Sequence, residues 1–306
     1  MKLAIITPVN RYLGFSAPIS PVEQFNNAIK NFNDVEMVYV DPQRTLVYGD
    51  CHSKPILYDD SGEMLDADVY FAFSHSPLDR QMTRYIIKSL ERTGAKVINN
   101  YRALTVADDK ALMAIELAGS GLPIAQSFIA SARSNSQKII DALRCKGDFI
   151  ISKTSGLTAG GVGVKPVVKE INHLAPELWS CRLSERPKVI QNDLDAGNSK
   201  RTVVRTYVVG GRVVGSYTTT GYGVVNCAGL TRESKAVQYS LSVDEANIVL
   251  AAAATVYSSG FCRVDCVGGK NFSILEVNPV ARIDASDYGI DVPCAIIKYA
   301  KELCVE

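Results

Sequence analysis

Two short stretches near the end of the chain carry its most informative polar residues. "SILEVNPVARIDAS" (273–286) is a strand-like apolar run that ends in Glu276, skips one residue and presents Asn278. Eleven residues before Glu276, "CRVDCVGG" places Asp265 at the end of another apolar, β-branched run. Side chains two apart on a strand share a face, so Glu276 and Asn278 point the same way, and Asp265 reaches the same point if the two strands pair. These are hard oxygen donors without a histidine nearby, a set suited to Mg²⁺ or Mn²⁺ rather than zinc or copper. A pair of solvated strand-end acids is the plainer alternative. Because Mg²⁺ is commonly held by few carboxylates plus substrate phosphates, the first reading calls for a nucleotide site elsewhere in the chain.

A glycine-rich segment is the candidate. "SKTSGLTAGGVGV" sets Lys153 at a strand end and follows it with Gly156, Gly160, Gly161 and Gly163. Glycines let backbone N–H groups turn inward on a polyphosphate, and the lysine adds a point charge. A hairpin tip is the competing reading, since neither a P-loop nor a helix-opening G-x-G-x-x-G is present. Lys110 stands at a helix start in "ADDK", where a lone lysine reads as a surface charge. "VIQNDLD" (189–195) ends a strand with alternating polar groups of the kind that line an adenine edge and ribose hydroxyls.

Composition narrows the field. The 306 residues exceed the usual size of one core, so two or three parts are expected. With 47% hydrophobic residues, 21% charged and a net charge of +1, the balance is that of an ordinary globular protein. No basic excess argues for nucleic acid or an anionic membrane as partner. Apolar stretches are strand-sized or broken by charge, and "MKLAIITPVN" reads as a first strand rather than a signal peptide. The expected location is cytoplasmic, with the eight scattered cysteines reduced. The three histidines lack metal-site spacing, and the adjacent Cys51–His52 pair reads as incidental because dyad partners meet in space.

The elements that must position these residues follow from periodicity. Strands at 3–9, 35–41, 67–74 and 96–100 alternate with helices at 20–32 and 77–94, which argues for a parallel sheet with helices on its faces. An inserted hairpin or loop at 43–65 carries D-D-S-G as its turn signal. A helix at 106–121 is opened by Asp and closed by Gly, an extended segment follows Pro123, and a second helix–strand unit runs through "SQKIIDALRCKG" and "DFIISK". Residues 187–195 form a strand, 201–221 a hairpin turning at Gly210–Gly211, and 242–260 a capped, Ala-rich helix that packs on the last two strands.

Taken in order, these pieces resemble the ATP-grasp superfamily and, within it, the RimK-like ligases that add glutamate or other amino acids to peptides. The resemblance runs from about Asn99 to the C-terminus through "N…DK", "GLPIAQSF", "IISK…GLTAGGVGV", "VIQNDL", "VVRTYVVGGRVVGSY", "VVNCAGL", "GFCRVDCV", "ILEVNPVARI" and "GIDVPCAIIKYA". It implies a mixed α/β ATP-grasp fold of three parts. These are an N-terminal parallel α/β domain (1–98), a small central lid domain (99–190) and a C-terminal mixed-sheet domain (191–306).

The same resemblance implies roles. Lys110 and Lys153 would hold the phosphates of ATP, and the loop of Thr158, Gly160, Gly161 and Gly163 would cover them. Gln191, Asn192, Asp193 and Leu194 would line the adenine pocket, with Asp193 or Asp195 on the ribose. Asp265, Glu276 and Asn278 would hold Mg²⁺ or Mn²⁺, Arg205 would neutralise the transferred phosphoryl group, and Asn226 would stand near the metals. Val203 replaces the aspartate expected two residues before Arg205, the glycine loop is one residue longer, and "YTTTGYG" replaces a basic pair, leaving Arg282 as the nearest substitute cation. The reaction implied is ATP-dependent joining of a carboxylate to the amine of an amino acid, peptide or protein through an acylphosphate, by a homo-oligomer (dimer or tetramer). A kinase of a small polar molecule, which releases no orthophosphate, and a non-catalytic ATP-binding regulator are the alternatives.

Overall fold

A computed structural model of the chain describes residues 1–8, 20–49, 56–59, 61–74, 77–143, 148–154, 164–184, 186–194, 200–222, 236–268 and 272–305. Its first part alternates β1 (Lys2–Ile6), α1 (Pro21–Ala28), β2 (Glu36–Val40), the short pair β3 (Leu46–Tyr48) and β4 (Ile56–Tyr58), β5 (Val69–Ala72), α2 (Pro77–Thr93) and β6 (Lys96–Ile98). Four of these strands form a parallel sheet in the order β2-β1-β5-β6. The uninterrupted apolar run of β5 is buried along its whole length, as a parallel strand covered on both faces requires. Ser20 caps α1 by accepting from the Glu23 N–H at 3.1 Å, with Pro21 in the first turn.

In the insertion, β3 and β4 pair antiparallel as expected of a hairpin. The D-D-S-G turn is not its tip. Asp59 Oδ1 accepts from the Ser61 and Glu63 N–H groups, and this bend leads from β4 into a bridge between Tyr58 and Met64. An Asp side chain captures backbone donors wherever the chain bends, so its presence marks a turn without saying which segments the turn joins.

The helix expected at 106–121 is two helices, α3 (Tyr101–Asp108) and α4 (Lys110–Gly119). Asp109 breaks the run by adopting an extended conformation, and its carboxylate accepts from the Ala111 and Leu112 N–H groups at 2.8 and 3.2 Å. The N-cap fixes Lys110 as the first helical residue. Next come β7 (Ser127–Ala130), α5 (Ser136–Ala142), β8 (Phe149–Thr154), β9 (Val164–Val168), α6 (Ile171–Trp179), α7 (Cys181–Ser184) and β10 (Lys188–Asn192). They build an antiparallel sheet in the order β7-β10-β8-β9, with α5 and α6 on one face around Ile139, Leu174, Leu178 and Ile190. Glu177 ties α6 to the strands through Lys188 at 3.0 Å, Ser152 at 2.8 Å and Lys165. Although Glu177's burial opposes ionisation, the hydrogen bonds from these groups prevail and lower its pKa.

The last part holds β11 (Lys200–Val209), β12 (Arg212–Tyr222), β13 (Ala236–Gln238), α8 (Val243–Thr255), β14 (Phe261–Val267), β15 (Ser273–Asn278) and α9 (Val292–Val305). Its strands lie antiparallel in the order β13-β12-β11-β14-β15. The β11–β12 hairpin turns at Gly210 and Gly211, whose φ values of +56° and +70° suit a two-residue turn. A Ser242–Glu245 capping box opens α8, which packs on β14 and β15. The helix α9 joins the two ends of the chain: Ile296 and Ile297 share a core with Leu3, Phe71, Tyr207 and Phe261. Among the described residues no helix is long and apolar enough to cross a membrane.

Asn99 fastens the first sheet to the last. It follows β6 in a left-handed conformation (φ +65°) that Asn tolerates better than most residues. Its buried amide donates to the carbonyls of Phe261 at 2.6 Å and Pro279 at 3.1 Å and accepts from the Phe261 N–H at 2.9 Å. One side chain thereby grips the start of β14 and the end of β15. The approach is close enough that a Cβ on Gly260 would stand 3.0 Å from the Asn99 nitrogen. Replacing Asn99 with Ala removes three hydrogen bonds from buried backbone groups, a loss of about 2–4 kcal/mol. Thermal denaturation of Asn99→Ala should show a melting temperature lower by roughly 5–10 °C, whereas an unchanged value would mean that this amide fastens nothing.

Candidate active site

Strand pairing assembles a grid of charges on one face of the last sheet. Along one row the register sets Tyr217, Arg205, Asp265 and Glu276 side by side, and the next row sets Gly215, Tyr207, Arg263 and Asn278. Residues two apart share a face, so both rows project from the same side. The opposite face carries Val264 and Val277 into the core under α8. A β-bulge beside Glu276 makes this possible. Asp265 pairs with Glu276 but Cys266 pairs with Ile274, so Leu275 is an extra residue in β15. The bulge lets Ile274 join the core while Glu276 stays with the charges.

Asp265 is buried and already engaged. Arg263 donates to both of its oxygens, from Nε at 2.6 Å and from an NH2 nitrogen at 2.8 Å, and the Arg205 Nε lies 4.0 Å away. Burial by itself would lower the Arg263 pKa, but the Asp265 carboxylate outweighs it and holds the guanidinium above its ordinary value. The sequence reading missed Arg263. Its position two residues before Asp265 on the same strand was the available signal.

The loop after β15 folds over this face. Tyr207 donates to the Arg282 carbonyl at 2.6 Å, and Tyr288 stacks on Tyr217 with ring centroids 4.4 Å apart. Burial raises the pKa of Asp284 in this loop, with Arg282 beside it acting in the other direction. The Asn278 Oδ1 accepts from the Val280 N–H at 3.1 Å, which shapes the start of the loop.

A narrow cleft lies between the central and last sheets, with Lys110, Lys153, Gln191 and Glu276 in its walls. Its apolar lining includes Met113, Val189 and Ile274. Lys110 is there because Asp109 starts α4 at that point, and α4 is held to β15 by the Val277 N–H donating to Met113 Sδ at 3.3 Å. Ile274 also bonds to the Pro123 carbonyl at 2.7 Å, which ties the segment after α4 to the same strand. The structure thus gathers Lys110, Lys153, Gln191 and Glu276 in one cleft and sets Arg205, Asp265 and Asn278 in the grid alongside Glu276.

Other sequence-predicted residues lie elsewhere or beyond view. Asn192 alternates to the opposite side of β10 from Gln191 and donates to Gln126 Oε1 at 3.2 Å. Asp193 is buried just past the strand end, Leu194 follows it, and Arg282 sits in the covering loop. Thr158, Gly160, Gly161, Gly163, Asp195, Asn226 and the Cys51–His52 pair lie outside the described residues. Among the described residues no group of three or more His, Cys, Asp or Glu could hold a metal ion. The third donor beside Asp265 and Glu276 would be the Asn278 amide oxygen.

A family model for the RimK-like ATP-grasp domain matches residues 107–300. The chain belongs to the RimK-like ATP-grasp family. N-acetylaspartylglutamate synthase A of Mus musculus is 24% identical across 71% of this chain and 57% of its own length. A probable alpha-L-glutamate ligase of Haemophilus influenzae (strain PittEE) is 25% identical, with 72% of each chain covered. The chain therefore spans little more than half of the mouse relative. Among solved structures, the ATP-grasp ligase PsnB with minimal precursor superposes at a TM-score of 0.71 with 15% identity, covering 99% of this chain and 98% of that one. PsnB with minimal precursor, Mg and ADP gives 0.69 at 16% identity and the same coverage. The mixed α/β architecture is the ATP-grasp fold.

The buried Arg263–Asp265 pair allows a direct check of the geometry. Removing one partner leaves the other charge buried without compensation, which costs about 3–5 kcal/mol. Arg263→Met should therefore destabilise the last sheet by that amount in urea denaturation, and the double variant Arg263→Met/Asp265→Leu should recover most of the loss. No recovery in the double variant would argue against a paired charge at this position.

Proposed function

We propose that the protein is an ATP-dependent carboxylate–amine ligase that forms an amide or peptide bond and releases ADP and phosphate. The observation that carries this reading is the single cleft with Lys110, Lys153 and Gln191 in its walls and Glu276 at the margin of the Asp265 grid. The names of relatives agree: an N-acetylaspartylglutamate synthase, a probable alpha-L-glutamate ligase, and an ATP-grasp ligase captured with a minimal precursor, Mg and ADP.

In this reading Lys110 and Lys153 bind the phosphates of ATP, and the lid of Thr158, Gly160, Gly161 and Gly163 covers them. Gln191 to Leu194 border the adenine, with Asp193 or Asp195 on the ribose. Asp265, Glu276 and Asn278 hold Mg²⁺ or Mn²⁺. The donor set fits a hard cation, because a carboxylate has about four acceptor positions and Arg263 uses two of those on Asp265. When bound, the metal neutralises charge on the phosphate oxygens. Arg205 and Arg282 supply positive charge toward the reacting groups, and Asn226 would stand near the metal.

A substrate carboxylate oxygen bonds to the γ-phosphorus as ADP leaves, giving an acylphosphate. The amine then attacks the acyl carbon, loses a proton, and phosphate departs. Carboxylates are poor electrophiles, so the prior phosphorylation makes the bond possible. The task of the side chains is to position the reactants, spread positive charge over the phosphoryl oxygens and exclude water. The division of labour follows the expected parts, 1–98, 99–190 and 191–306. We further propose a cytoplasmic homo-oligomer acting on an amino acid or peptide, with neither nucleic acid nor membrane as partner.

Glu276→Gln removes a charge from the metal-facing grid while keeping its shape. ADP release with ATP, Mg²⁺ and an amino acid or peptide panel should fall about 100- to 1,000-fold, the effect of losing about 2.7–4 kcal/mol of preorganised stabilisation. Orthophosphate measured in parallel should equal ADP in the wild type; ADP without orthophosphate would identify a kinase, and neither product would identify a regulator. Lys110→Ala and Lys153→Ala should each weaken binding of a non-hydrolysable ATP analogue about ten- to a hundredfold in calorimetry. Equal affinity in both variants would remove the cleft from consideration as the nucleotide site.

A further inference from the structure

Arg263 holds Asp265 in a way that bears on any metal bound there. The two residues are two apart on β14 and share its charged face. The guanidinium meets the carboxylate edge to edge, Nε donating to Oδ1 at 2.6 Å and Nη2 to Oδ2 at 2.8 Å. Such a fork takes one acceptor position on each oxygen. The edge it covers is the one a carboxylate turns to a cation when it binds through both oxygens. Arg263 and Asp265 are only 8% and 5% exposed, so neither can exchange its partner for water at small cost.

The balance of charge points the same way. Arg205 Nε lies 4.0 Å from Asp265, and Glu276 pairs with Asp265 across the strands, so two guanidiniums face two carboxylates. Tyr207 adds no charge, because burial raises its pKa and keeps the phenol neutral. The covering loop sets Arg282 against Asp284 and Asp287. The cleft beside Glu276 contributes Lys110 and Lys153. Among these groups five cations meet four carboxylates. A divalent cation arriving alone finds no excess of negative charge to offset the loss of its water, whereas a polyphosphate carries that excess with it.

We propose that Arg263 is a positioning residue that closes Asp265 to a free divalent cation, so that the metal loads only together with the phosphates of a nucleotide. The proposal rests on the reading of Asp265, Glu276 and Asn278 as the metal's donors. It adds an order of binding and the residue that imposes it. Phosphates bring oxygen donors and negative charge at once, which replaces what the fork of Arg263 withholds.

Mn²⁺ is the probe, with bound and free ion separated by electron paramagnetic resonance on the full chain. In the wild type, Mn²⁺ alone should bind about tenfold or more weaker than Mn²⁺ with a non-hydrolysable ATP analogue, counted over binding by the analogue itself. Arg263→Met frees both Asp265 oxygens and removes a positive charge, so nucleotide-independent Mn²⁺ affinity should rise about tenfold or more. A residue that served only the sheet would give no gain. Because Arg263→Met weakens the last sheet, Arg263→Lys is its companion. It keeps the charge, but one ammonium cannot grip two oxygens in a fork, and the gain should be several-fold. Equal wild-type affinity for Mn²⁺ with and without the analogue would overturn the proposal. So would the absence of a gain in Arg263→Lys, or in Arg263→Met where it folds. Mn²⁺ bound in neither condition, with Glu276→Gln indistinguishable from the wild type, would instead defeat the donor reading on which the proposal rests.

Discussion

Everything at the charged face depends on the amide of Asn99. The side chain occupies a place where the end of the first parallel sheet meets both the entry to β14 and the exit from β15. Those two strands carry Asp265 near the middle of one and Glu276 and Asn278 at the end of the other. A buried amide that uses both of its donors and its oxygen on backbone groups tolerates little displacement, because any shift strands a polar group away from water. The left-handed backbone at Asn99 is compatible with that role, since Asn visits this region at small cost.

Around this fixed point the fold separates two kinds of packing. Behind the last sheet, α8 supplies an alanine-rich surface that lets β14 and β15 bury Val264, Cys266 and Val277 closely. On the other side, α9 and the aromatic group of Phe71, Phe73 and Phe261 fuse the first and last sheets into one core. The charged grid shares its face of the last sheet with Tyr207 and Tyr217, which belong to that core. There the low dielectric strengthens each interaction and makes an unpartnered charge costly, which accounts for the two-pronged grip of Arg263 on Asp265. The central sheet is tied to α6 by the Glu177 network and contributes one face, with Val189, Gln191 and Lys153, to the cleft.

The chain alone made much of this legible. Strand alternation put Glu276 and Asn278 on one face, N-capping chemistry marked the start of α8, and paired glycines fixed the turn between β11 and β12. The helix α6 was not legible, because Pro176 interrupts its pattern. The break at Asp109 was half legible: the residue type announced a cap, yet the helix on its N-terminal side hid the boundary. Asp59 announced a turn and not its partners. In each case local preference was right about chemistry and silent about what the neighbouring segment would do.

Residue type and spacing by themselves determined which side chains could carry charge, which face of a strand each would take, and where helices could begin. These are properties of covalent geometry and of hydrogen bonds within a few residues, so they need no partner. The tertiary structure alone decided that Arg263 rather than Arg205 grips Asp265, that Leu275 bulges beside Glu276, and that Lys110, Lys153 and Glu276 share one cleft. Register and bulge position are set by how apolar faces fit under α8 and α9, and bringing distant segments together is paid for by core burial. No local rule contains that information, because a slip of one residue leaves every local preference satisfied and moves every side chain to the other face.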